Sequence, residues 1–195
     1  MAGEKNAFEL IVIGGSAGSF SVVSKILEKI PKSISVPIVL CLHRLKDKRE
    51  GFKEALEIRS NIPIKEPCDK EPILAGYAYL APSNYHLLIE NKEIFALSTT
   101  ELVQYSRPSI DVLFESASDV YKDKLLGVLL SGANKDGAQG MKKIKLKGGN
   151  TIIQDPKEAS IATMPESALH TTTIDHILSI SQLIEYFSDF EKNNS

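Results

Sequence analysis

The chain has 195 residues, enough for one domain with a substantial core. Hydrophobic residues make up 43% and charged residues 25%, with a formal net charge of −2 at pH 7. Basic clusters are short (residues 46–49 and 142–147), which speaks against a nucleic-acid or membrane surface. The apolar runs, residues 11–13 and 125–130 among them, are far too short to span a bilayer. The first residues show no secretory signal. Cys41 and Cys68 have neither metal-ligand spacing nor the pattern of a disulfide framework, so buried, reduced thiols in a cytoplasmic protein are expected.

Residues 8–13 read as a buried strand, and residues 20–30 carry helical spacing at Val22, Val23, Ile26, Leu27 and Ile30 before Pro31 stops the helix. A second apolar strand covers residues 36–42, followed by a helix over residues 48–60. Residues 76–80, 86–90 and 93–97 are short strands split by Pro82-Ser83-Asn84 and Asn91-Lys92, which suggests hairpins. The strand–helix alternation resumes with a helix over 109–121, a strand at 125–130 and a glycine-punctuated loop at 131–137. The helix that follows stops near Gly148-Gly149. A strand at 151–154, a short helix near 165–169 and a C-terminal helix over about 179–190 complete the chain, and the last few residues are expected to be disordered. The pattern predicts a single α/β domain over residues 1–195: a mostly parallel sheet with helices on its faces.

Chemistry concentrates at strand ends. Leu10-Ile11-Val12-Ile13-Gly14-Gly15-Ser16-Ala17-Gly18-Ser19 is a strand feeding a helix through a glycine-flanked turn with Ser16 at its apex. Such a turn holds either a serine nucleophile beside free helix N–H groups or a phosphate. His43 follows the second strand and Asp136 lies in the loop after the strand at 125–130. In open α/β sheets that edge binds ligands. Serine, histidine and aspartate converging there form the composition of an acyl-transfer triad, although singly Ser16 reads as a helix cap, His43 as a strand-end polar residue and Asp136 as a cap of the helix after Gly137. The N–H of Ala17 and one from the Ser131-Gly132-Ala133-Asn134 loop are candidate oxyanion donors. Arg107, before Pro108, offers a guanidinium to substrate or is an ordinary surface arginine. His86 reads as structural, His170 and His176 as remote from the serine, and no spacing suggests a metal or other cofactor.

With these residues in place the chain resembles the catalytic domain of the CheB family, the chemotaxis receptor protein-glutamate methylesterases. The resemblance runs from about Leu10 to Phe187 through the Ile13-Gly14-Gly15-Ser16-Ala17-Gly18 turn, His43, Tyr79-Leu80-Ala81-Pro82 and His86-Leu87-Leu88. It continues through Arg107-Pro108-Ser109-Ile110-Asp111-Val112-Leu113-Phe114, Gly127-Val128-Leu129-Leu130-Ser131-Gly132-Ala133-Asn134-Lys135-Asp136-Gly137-Ala138, Gly148-Gly149, Gln154-Asp155 and Met164-Pro165. It implies a doubly wound, mostly parallel α/β sheet with helices on both faces. It implies Ser16 as nucleophile, His43 as base, Asp136 as orienting carboxylate, and the backbone of Ala17 and Ala133 as oxyanion donors. The implied substrates are glutamate methyl esters, and certain glutamines, on cytoplasmic helices of methyl-accepting chemotaxis receptors. Departures from the family pattern are Ser19, Arg44-Leu45 after the histidine, and Ala133-Asn134 before the aspartate, all expected to line the cleft. No receiver domain precedes the first strand, so regulation is expected to fall to a separate partner protein, or to be absent, unless the chain is a piece of a longer one.

Three rival readings remain. A small-molecule esterase of the α/β-hydrolase type also carries G-x-S-x-G, but its order is serine, acid, histidine. A dinucleotide-binding turn needs a glycine where Ser16 stands, and an acidic residue where His43 stands. A catalytically silent receptor-docking domain is the third.

Overall fold

The computed structural model describes residues 7–43 and 51–194. Its centre is a seven-stranded sheet in the order β3-β4-β2-β1-β7-β8-β9, every neighbouring pair parallel. The strands are β1 (Leu10–Gly15), β2 (Ile38–Leu42), β3 (Ile64–Lys65), β4 (Ala78–Leu80), β7 (Leu125–Leu129), β8 (Asn150–Gln154) and β9 (His176–Leu178). Every residue of β1, β2 and β7 is buried, as a parallel sheet covered on both faces requires.

The pleat divides the core in two. Ile11, Ile13, Ile38 and Leu40 face helices α1 (Ser19–Lys29) and α6 (Ile180–Ser188), meeting Val22, Val23, Ile26, Leu27, Leu183 and Phe187. Leu10, Val12, Val39 and Cys41 face the other way, toward α3 (Ile110–Tyr121), α4 (Ala138–Leu146) and α5 (Thr163–Thr171). Helix α3 buries Ile110, Leu113, Phe114, Ala117 and Tyr121, a stripe at helical spacing. Strands β5 (His86–Asn91) and β6 (Ile94–Ser98) form a separate antiparallel hairpin whose Leu87, Ile89 and Phe95 join this second layer. The parallel sheet with helices on its faces, predicted from the strand pattern, is thus present, and its doubly wound order is the one the resemblance implies, with one hairpin.

Five expectations need correction. Cys41 is buried as expected, but Cys68 is exposed, in the connection between β3 and β4. Residues 78–80 belong to the main sheet beside β2, so only 86–98 forms a hairpin. The second helix, α2, is confined to Phe52–Glu57; the expected start at residues 48–50 lies outside the described residues. β3 and β9 were not anticipated, because two- and three-residue strands carry too little alternation to register. The tail is ordered as far as residue 194. Phe190 in α7 (Phe190–Asn193) is buried, and Asn194 Oδ1 accepts from the Phe8 N–H at 2.6 Å while its amide donates back to the Phe8 carbonyl at 3.3 Å.

The winding reverses at β1. The chain moves from β1 through β2 to β4 on one side, then returns to place β7 on the other. Gly14 pairs with both Cys41 and Leu129, so β1, β2 and β7 end level with one another and their following loops share one crevice.

Candidate active site

The turn after β1 is held by its own backbone. The Ser16 N–H donates to the Ser131 carbonyl at 2.9 Å, and the His43 N–H donates to the Gly15 carbonyl at 3.0 Å. These bonds stitch the loops after β1, β2 and β7 together. Gly18 caps α1 with φ +85, and a Cβ there would lie 2.5 Å from the Ser160 Cβ, so a side chain is excluded by both conformation and space. Ser19 does not line the cleft as expected. It is buried, and its hydroxyl and N–H both donate to the Ser16 carbonyl, at 2.7 and 3.1 Å, bracing the turn from below. Arg44 and Leu45 lie outside the described residues.

Asp136 is the most heavily engaged polar side chain of the site. It is 0% exposed. Its Oδ1 accepts from the Ser109 hydroxyl at 2.8 Å and the Asp111 N–H at 2.9 Å; its Oδ2 accepts from the Ile110 N–H at 2.7 Å and from His43 Nε2 at 2.8 Å. The carboxylate therefore sits on the N-terminus of α3, where free N–H groups and the helix dipole favour negative charge. It caps α3 and not α4, the helix that follows it in sequence. Asp111 does the reverse: a residue of α3, it accepts from the Gly140 N–H of α4 at 2.8 Å. The two helices exchange carboxylates.

Asp111 is 5% exposed, and burial, reinforced by the Asp136 charge, pushes its carboxyl from 3.8 up to about 6, against the lowering effect of the Gly140 N–H. A raised acid pKa means that the folded chain holds a proton the unfolded chain has released. This group therefore favours folding below pH 4, and that contribution is lost as pH rises through about 6; the span is worth about 3 kcal/mol. Asp111→Asn is expected to flatten the pH dependence of stability between pH 4 and 6 and to raise the urea midpoint at pH 8. Urea titrations of both chains at pH 4.5 and 8 check this; an equal loss at both pH values would contradict it.

His43 is the partner that gives Asp136 a chemical use. Its side chain is 13% exposed, and since the carboxylate only accepts, Nε2 carries the proton and donates. Nδ1 is left as the basic nitrogen. In serine proteases the carboxylate takes Nδ1–H instead; here the ring is turned end for end. Ser16 is half-buried beside this pair, and its hydroxyl makes no hydrogen bond among the described residues. The geometry thus joins His43 to Asp136 and sets Ser16 at the same edge without a hydroxyl–imidazole bond. Such bonds are often long in a resting site and tighten with substrate.

The backbone around Ser16 separates used from unused donors. The Gly132 N–H is taken by the Ile161 carbonyl at 3.1 Å, whereas the N–H groups of Ala17 and Ala133 have no acceptor among the described residues, and both residues are exposed. Gly132 packs tightly: a Cβ there would lie 2.4 Å from Met164 Cε and 3.0 Å from Ser16 Cβ. Ser131 is buried, its hydroxyl donating to the Ala17 carbonyl at 2.7 Å and accepting from the Ile161 N–H at 3.0 Å.

Of the remaining candidates, Arg107 and His86 are bonded to the backbone. Arg107 Nη1 donates to the carbonyls of Thr99 and Thr100 at 2.7 and 2.8 Å, pinning the segment between β6 and α3. His86 is buried, accepts from the Ser109 N–H at 3.2 Å and donates to the Glu101 carbonyl at 2.9 Å, which fixes its tautomer. His170 and His176 are exposed on α5 and β9. Among the described residues no cluster of side chains could hold a metal ion, and no helix is long and apolar enough to cross a membrane. Ser109 and Ser106 are the site residues that sequence reasoning missed. The first was legible as a helix cap, but which carboxylate it meets was not.

An α/β sheet with a serine turn, a histidine and a buried aspartate at its switch point defines a class of hydrolase-like folds. Within that class, the family model for CheB methylesterase matches residues 11–187. A putative protein-glutamate methylesterase/protein-glutamine glutaminase of Leptospira interrogans is 50% identical over 188 residues, which is 96% of this chain and 97% of that protein. A protein-glutamate methylesterase/protein-glutamine glutaminase of Carboxydothermus hydrogenoformans is 34% identical across 93% of this chain but only 55% of its own length. The crystal structure of the Thermotoga maritima CheB methylesterase catalytic domain superposes with a TM-score of 0.87 at 28% identity, covering 94% of this chain and 99% of that one. The chain belongs to the CheB methylesterase family of hydrolases.

Proposed function

We propose that the chain hydrolyses glutamate methyl esters on chemoreceptor helices, and deamidates glutamines there, through Ser16, His43 and Asp136. The observation that carries the reading is the 2.8 Å bond from His43 Nε2 to a buried carboxylate beside the Ser16 turn. That bond leaves Nδ1 as the base. In the reaction Nδ1 takes the Ser16 hydroxyl proton as Oγ attacks the side-chain carbonyl carbon, and Asp136 stabilises the imidazolium that forms. The oxyanion is placed on the free N–H groups of Ala17 and Ala133. Collapse of the tetrahedral intermediate breaks the bond to methoxide, which leaves as methanol with the proton from Nδ1; a glutamine loses ammonia by the same route. Water, deprotonated by Nδ1, then cleaves the acyl–serine ester and restores the enzyme. The leaving group is the only difference between the two substrates, so one site serves both.

A small-molecule esterase would use the same machinery. The family match over residues 11–187 and the names of the relatives favour a protein substrate. A serine-directed phosphonate is expected to label the chain once, at Ser16, with labelling lost in His43→Gln. Peptide mass mapping reads the site, and labelling at another residue would overturn the assignment of the nucleophile.

A further inference from the structure

The nucleophile turn is not the only hydroxyl near the base. Ser106 Oγ lies 3.5 Å from His43 Nδ1, the nitrogen that Asp136 leaves unprotonated. Ser106 arrives there on a costly turn. The N–H groups of Val103 and Ser106 donate to each other's carbonyls at 3.2 and 2.8 Å, closing a tight turn over Gln104 and Tyr105. Both central residues adopt left-handed backbone, with φ 47 and 62, a geometry that normally selects asparagine and glycine. Tyr105 is 96% exposed, so packing of its ring does not offset the strain. Strain of this kind persists only where surrounding bonds impose it, and it gathers at functional sites.

The bonds that hold this turn come from Asn134. Its amide nitrogen donates to the Gln104 carbonyl at 3.4 Å and to Ser106 Oγ at 3.3 Å, while its Oδ1 accepts from the Asp136 N–H at 3.2 Å. The polar contacts then close a ring. It runs from the Asp136 backbone to Asn134, to Ser106, to His43 Nδ1, and from Nε2 back to the Asp136 carboxylate. Because Asn134 occupies a lone pair on Ser106 Oγ, the hydroxyl proton has two acceptors within reach, His43 Nδ1 and the Gln104 carbonyl at 3.4 Å.

From this ring we infer that Ser106, oriented by Asn134, is a positioning residue for His43. In the resting site it donates to Nδ1, holding the imidazole plane from the side opposite Asp136 and keeping Nδ1 an acceptor. When Ser16 delivers its own proton to Nδ1, the Ser106 hydroxyl rotates to the Gln104 carbonyl. It exchanges no proton and breaks no covalent bond. Asn134 thereby gains a reason to stand in this loop: its side chain bridges the carboxylate's backbone and the second hydroxyl.

The kinetic arm of the test rests on the methylesterase reading; the spectroscopic arm does not. In the full chain, 15N spectra of the imidazoles, with His43 assigned by its loss in His43→Gln, are compared for wild type, Ser106→Ala, Ser106→Thr and Asn134→Ala. The Nδ1 resonance of His43 is expected to move in Ser106→Ala and Asn134→Ala and to return in Ser106→Thr, which keeps the hydroxyl. On methylated receptor fragments, kcat of Ser106→Ala is expected to fall about tenfold, the factor one hydrogen bond carries, with KM unchanged and recovery in Ser106→Thr. An unmoved Nδ1 resonance in Ser106→Ala would overturn the inference, as would a change confined to KM or a threonine variant that behaves like alanine. A wild-type chain without esterase activity would defeat the methylesterase reading and leave the ring-nitrogen spectrum to decide on Ser106.

Discussion

Asp136→Asn is expected to cost about four orders of magnitude in turnover, the size of loss seen when the carboxylate of a Ser–His–Asp unit becomes an amide. The reason lies in the distribution of donors. Each carboxylate oxygen accepts two hydrogen bonds, Oδ1 from Ser109 and Asp111, Oδ2 from Ile110 and His43. An amide has one accepting end. With its NH2 at the Oδ2 position it confronts both the Ile110 N–H and the imidazole N–H. The ring is then driven to the opposite tautomer, with the proton on the nitrogen that must act as base. With its NH2 at the Oδ1 position the Ser109 hydroxyl can turn to accept, but the Asp111 N–H cannot. Either way a buried donor is opposed, and the negative charge on the α3 terminus is gone. A stability loss of about 2–6 kcal/mol should accompany the loss of rate, since an unsatisfied buried donor and a lost charge-assisted bond are each worth about 1–3 kcal/mol. Urea unfolding and turnover on one methylated receptor fragment check both halves, and turnover within tenfold of wild type would contradict the role given to Asp136.

Ser16→Ala should separate the two effects that Asp136→Asn combines. The Ser16 hydroxyl is half-buried and has no hydrogen-bond partner among the described residues, while the turn is held by backbone bonds and by Ser19. Stability is therefore expected to stay within about 0.5 kcal/mol of wild type. Turnover is expected to fall by about 10^6, because the proposed nucleophile has no substitute within such a unit. Substrate affinity should survive, since the N–H groups of Ala17 and Ala133 and the walls of the cleft are unchanged.

Much of this site was legible because the fold brings strand ends to one edge. Reading Ser16, His43 and Asp136 as residues just past buried parallel strands was enough to place them in one crevice. What each touches was not legible. The His43–Asp136 bond joins residues 93 positions apart, and Asp136 reads locally as a cap of the helix after it. Its actual place on α3 depends on how two helices pack, with Gly140 so close to Phe114 that a Cβ would lie 2.5 Å from the Phe114 Cβ. Ser19 misled for a similar reason. Its position beside the turn suggested the cleft, whereas helical geometry turns it inward to the Ser16 carbonyl. The hairpin boundary and the ordered tail failed on long-range pairing: β4 is held by β2, and residue 194 by residue 8. Local pattern located the elements, and contacts between distant residues decided their roles.

The most direct measurement is methanol release from a methylated chemoreceptor fragment by wild type and by Ser16→Ala at matched concentration, with unfolding curves showing both chains folded. Time-dependent release by wild type, with none above background from Ser16→Ala, is the expected result. No release by the folded wild-type chain, or equal release by both, would contradict the assignment of this chain as a serine methylesterase.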